Sequence, residues 1–134
     1  NAVIYSQTFT SGSSAVSQCV AWNAFRALLV TRSYSSLTIS GSNNYVGITL
    51  TNPTIVSAIA HALRTNTTYG PISSNGFAWM VGSCGVGYGL TTTGKVCDCN
   101  DGYTVRPCVG NSNWGAINGN ACNAGTQTMT ITFI

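Results

Sequence analysis

The sequence predicts an α+β fold: two helices packed on a mostly antiparallel sheet, with a Gly/Cys-rich β C-terminal half stabilised by disulfides. Three observations predict it. Two segments before residue 66 carry apolar residues at helical spacing. After residue 76 that spacing stops, and short β-branched and aromatic runs separated by glycine take over. Five of the six cysteines, Cys84, Cys97, Cys99, Cys108 and Cys122, fall in that second stretch; the sixth is Cys19.

Each element follows from its residues. Residues 3–9, VIYSQTF, are β-branched and aromatic with partial alternation and predict a strand. Ser13 or Ser14 caps the helix expected over 15–30, where Val16, Cys19, Trp22, Phe25 and Leu29 recur on one face. Residues 36–40 and 45–50 predict paired strands around the Gly-Ser-Asn-Asn turn at 41–44. Asn52 caps a second helix with Pro53 in its first turn, and Ile55, Val56, Ile59 and Leu63 form its apolar stripe. Residues 70–76, GPISSNG, read as loop. Residues 77–81, 86–90, 103–107 and 126–134 read as strands. In the last, Met129, Ile131 and Phe133 alternate with Thr128, Thr130 and Thr132, which gives one buried face and one hydroxyl face. The opening order, strand-helix-strand-strand-helix-strand, matches the split βαβ pattern. Neither a repeat nor a linker divides the 134 residues, so 1–134 reads as a single domain.

Composition narrows the partners. Only 5% of residues are charged, against about 25% in ordinary domains. In their place stand 18 Thr, 15 Ser and 13 Asn, so the surface is hydroxyl and amide. The net charge of +3 is scattered, without the Lys/Arg clusters that nucleic acid or anionic membrane would call for. No apolar run is long enough to predict membrane insertion. A surface without repelling charge favours self-association or neutral partners.

An even number of cysteines in a small chain that opens on Asn reads as a processed, secreted, extracellular protein with three disulfides. The expected pairing is Cys108–Cys122 as a local loop, with Cys84 joined to Cys97 or Cys99 and the other to Cys19. Zinc on Cys97, Cys99, Cys108 and Cys122 is the competing reading, but the spacing holds no C-x2-C pair. Asn66-Thr67-Thr68 is an N-glycosylation sequon and suits a surface turn.

The constellations for catalysis are thin, and the chain reads as a non-enzyme. His61, the single histidine, sits off the Ile59/Leu63 stripe and reads as an ordinary helix-surface residue. No G-x-S-x-G elbow accompanies it. Asp98 and Asp101, the only carboxylates, are too close in sequence to flank a glycosidic bond easily. With Asn100 they suggest a loose calcium site, although Asn100-Asp101-Gly102 reads more readily as a hairpin turn. No other cofactor is expected.

The stretch 110–120, GNSNWGAINGN, remains. Trp114 offers a face for a sugar ring, and Asn111, Asn113, Asn118 and Asn120 offer donors and acceptors for its hydroxyls; Asp101 joins them as a ligand-binding candidate. The bland reading is that Trp114 pins a loop onto the sheet. The functional expectation is a secreted, non-catalytic, lectin-like binder of neutral glycans. The alternative is a self-associating structural subunit of an extracellular matrix, coat or filament.

Overall fold

A computed structural model describes residues 1–10, 12–42, 47–83, 87–94, 102–110, 114–116 and 126–134. Its strands are β1 (Val3–Phe9), β2 (Leu37–Gly41), β3 (Ile48–Leu50), β4 (Tyr69–Ser74), β5 (Phe77–Ser83), β6 (Tyr88–Thr91), β7 (Thr104–Val105), β8 (Gly115–Ala116) and β9 (Gln127–Phe133). The helices are α1 (Cys19–Leu28), preceded by a 3-10 turn at Val16–Gln18, and α2 (Pro53–Thr65).

The α+β class holds, but the strands form two sheets rather than one. The first has the order β1-β9-β2-β3 and the second the order β4-β5-β6-β7-β8. Among the described strands the ladders are antiparallel. The opening order strand-helix-strand-strand-helix-strand is present, but its strands do not pair as the split βαβ pattern requires, with parallel neighbours. The C-terminal strand β9 inserts between β1 and β2 instead, a long-range pairing that local sequence does not encode.

The alternation in β9 sets its faces as expected. Met129, Ile131 and Phe133 are buried, and the threonines between them are partly exposed. The inner face of this sheet meets α1 through aromatic rings: Tyr5 lies edge-on to Trp22 at 5.2 Å between centroids, and Phe25 lies 6.2 Å from Phe133. Each such buried side chain contributes roughly 1.5–3 kcal/mol. Val16 departs from the expected stripe and is 54% exposed, because the chain enters α1 through the 3-10 turn. Ser14 Oγ accepts from Val16 N at 3.2 Å, at the entry to that turn.

Helix α2 starts as its residues dictate. Asn52 Oδ1 accepts from Ile55 N at 3.2 Å, and Pro53 stands in the first turn. Its stripe, Ile55, Val56, Ile59 and Leu63, is buried. The helix contacts α1 on one side and β4 and β5 on the other, so one hydrophobic cluster runs from the first sheet into the second.

Residues 70–76, read as loop, are mostly strand: β4 pairs with β5 across a turn at Asn75-Gly76. Glycine and proline masked the strand signal; Gly70 has φ +86° and precedes a cis Pro71. Gly89 lets β6 approach β7, since a Cβ there would meet Val105 O and Arg106. The short β8 was not expected from its residues.

Cys19 is bonded to Cys108, with Cα atoms 4.7 Å apart. This corrects the expected Cys108–Cys122 loop. Sequence proximity suggested a local pair, but the fold brings the start of α1 beside the turn after β7. The bond also removes Cys108 from any four-thiolate zinc site. Cys84, Cys97, Cys99 and Cys122 lie outside the described residues.

Candidate functional site

A cleft opens where the end of β1 meets the 3-10 turn. Two features of the local sequence form it. Strand β1 ends at Phe9, whose ring is buried, and Ala15 is buried at the entrance to the turn. These two make an apolar floor. Around them stand Thr8, Thr10, Ser13, Ser14, Ser17 and Gln18, with no charged side chain in the lining. The volume is about 250 Å³. Gln18 ties the walls together, its Nε2 donating to Thr8 O at 3.0 Å. Its carbonyl oxygen is left for a further donor. A hydroxyl both donates and accepts, and a primary amide does the same through separate atoms, so this lining suits a neutral polyhydroxylated ligand.

Thr8 also belongs to the outer face of the first sheet. That face carries hydroxyls in register across the strands. Ser6 pairs with Thr130 at 3.0 Å, Thr8 with Thr128 at 3.0 Å, and Thr38 with Thr49 at 3.1 Å, oxygen to oxygen. Ser40 stands opposite Thr130, Thr132 lies between Ile4 and Thr38, and Ser42 Oγ accepts from Thr128 N. The cleft is therefore continuous with a sheet face of serine and threonine, on which Ile4 is the apolar exception.

The residues expected to bind ligand fall elsewhere. Trp114 is fully buried, packed on Phe9 at 4.8 Å between ring centroids, and its carbonyl accepts from Arg106 N at 2.8 Å. This corrects its role as a stacking platform: both faces are occupied by protein. Trp114 is a core residue. Asn111, Asn113, Asn118, Asn120 and Asp101 lie outside the described residues, as does Asp98 of the suggested calcium site. Among the described residues no group of three or more metal-ligating side chains occurs.

His61 is exposed on α2 and lines a separate cavity at the C-terminal end of α1. Asn66 ends α2 in the left-handed region at φ 57° and is exposed. Its Oδ1 accepts from Arg26 Nη2 at 3.1 Å, which leaves Nδ2, the atom a glycan would modify, outside that bond.

Sequence reasoning missed the cleft because its residues are the commonest on the chain. Ser13 and Ser14 carried a signal only as helix caps, and Thr8 only as a strand residue. Among the described residues no helix is long and apolar enough to cross a membrane. No family model, curated protein or solved structure matches the chain.

Proposed function

We propose that this is a secreted, non-catalytic protein that binds neutral carbohydrate in the cleft at the end of β1. The observation that carries the reading is the lining: six uncharged hydroxyl and amide side chains over an apolar floor, with no competing charge. A neutral sugar exchanges its water hydrogen bonds for these groups without desolvating an ion. The cleft has room for about one sugar ring. Further units of a chain would meet the hydroxyl face of the first sheet beyond Thr8. The Cys19–Cys108 bond fits an extracellular setting, and we extend it: Cys84, Cys97, Cys99 and Cys122 are oxidised and stabilise the C-terminal half.

The test is a neutral-glycan array probed with the wild type and with Gln18→Ala. The wild type should bind, and the variant should lose about tenfold or more in affinity while its melting temperature stays close to the parent. An array without hits refutes the reading.

A second reading rests on a different feature. Strand β1 is a seven-residue edge without a charged residue, and charge is a usual means of blocking edge-to-edge pairing. A self-associating subunit of an extracellular assembly would use such an edge. It requires large species in sedimentation at micromolar concentration, only weakly sensitive to salt.

A further inference from the structure

A second cavity, of about 340 Å³, lies between the C-terminal end of α1 and the middle of α2. That is within the usual range of small-ligand pockets. Its walls are apolar: Leu29, Val30, Ala58 and Ala60, with the buried Tyr34 beneath. Val30 is 50% exposed, so an apolar side chain stands at the mouth. The Ser57 hydroxyl, also in the wall, is already engaged by Tyr34 N at 2.9 Å. The polar groups left to meet a ligand are at the rim, Arg32 and His61 chief among them.

Arg32 is held in place. Its guanidinium carbon sits 3.9 Å from the centroid of the Tyr34 ring, Nη1 donates to Ser33 O at 3.1 Å, and Nη2 donates to Asn1 O at 2.6 Å. A guanidinium has five N–H donors, so more than these two are on offer. The groups that fix it are carbonyls and a ring, not a carboxylate. The chain's two acids, Asp98 and Asp101, both lie outside the described residues.

The negative pole of α1 does not oppose an anion here, because its last carbonyls are covered. Arg64 Nη1 donates to Ala27 O, Leu29 N to Arg26 O, and Val30 N to Leu28 O. A preset cation therefore stands at the mouth of an apolar cavity, whose lining also includes the His61 imidazole.

We propose that this cavity binds a small amphipathic carboxylate. The apolar body lies against Leu29, Val30 and Ala58, and the carboxylate accepts from Arg32, with His61 as a second donor. The site is separate from the cleft at the end of β1, so it stands or falls independently of carbohydrate binding.

The probe is octanoate, titrated into the full chain by calorimetry and by amide chemical shifts. Octanol supplies the body without the charge, and acetate the charge without the body. Octanoate should bind, and both controls should bind at least about tenfold more weakly. Arg32→Gln should cost octanoate about tenfold, and Ala58→Phe, which fills the cavity, should abolish binding. The shift changes should centre on residues 29–34 and 57–61. Should Arg32→Gln fail to fold, the comparison of octanoate with octanol on the wild type still decides the role of the charge. The proposal is overturned if octanoate does not bind, if octanol binds equally well, or if Ala58→Phe binds octanoate like the wild type.

Discussion

Trp114 illustrates how a single residue's role depends on its contacts rather than its neighbours in sequence. Set among asparagine and glycine, it has the company of a sugar-binding tryptophan. Packed on Phe9, it joins the start of β8 to the aromatic core. Trp114→Ala should therefore destabilise the protein by about 3–5 kcal/mol, measured by urea unfolding. A change below 1 kcal/mol would mean the ring is not a core residue. Tyr88 is a second residue whose contacts set its chemistry. Its hydroxyl lies 2.7 Å from both Ala62 O and Thr67 O, where one hydrogen is shared, and Arg26 stacks over its ring at 4.8 Å. Burial pushes the Tyr88 phenol up to about 12, partly offset by the Arg26 charge. The folded state thus holds this proton more tightly than the unfolded chain does. Its contribution to stability is complete below about pH 10 and should fade as pH rises toward 12. Unfolding midpoints from pH 9 to 12 should show that fall, and Tyr88→Phe should flatten part of it. Burial raises the Tyr5 phenol as well, so Tyr5 adds to the same fall.

At the scale of elements, strand β9 gives the sharpest test. Ile131→Asp places a charge in the core and should unfold or aggregate the protein, whereas Thr130→Asp, on the hydroxyl face, should leave a folded monomer. Circular dichroism and size exclusion would separate them; a folded Ile131→Asp would contradict the assigned register. Asn52→Ala should cost α2 about 1 kcal/mol through its lost cap, read in the same unfolding assay. The elements legible in the sequence were those with a local signal: β1, both helices, the β2–β3 pair, the strands at β5, β6 and β7, and the alternation of β9. Strand β4 was not, because Gly70, Pro71 and Asn75 carry turn chemistry inside or beside it. Strand β8, two residues long, is too short for a period to show. The cleft was illegible for another reason. Thr8 and Gln18 meet only once β1 and the 3-10 turn have packed, and nothing in their spacing marks them as partners.

Two long-range links organise the whole molecule, the disulfide and the place of β9. Cys19 and Cys108 are 89 residues apart, so reducing the bond frees a long loop in the unfolded chain. Replacing both cysteines with serine should cost about 4–5 kcal/mol by chain entropy, less any strain relieved, measured by denaturant titration. A loss under 1 kcal/mol would indicate that the unfolded chain is constrained in some other way. Strand β9 links the ends differently. It lies inside the first sheet, bonded to β1 on one side and β2 on the other, yet it comes after every other described strand. During synthesis β1 and β2 emerge early and have no partner between them. Their apolar faces, with Tyr5, Phe9, Leu37 and Ile39, must wait until residues 127–133 leave the ribosome. A chain built this way closes its first sheet last and all at once. Until then the first sheet lacks the strand that joins β1 to β2.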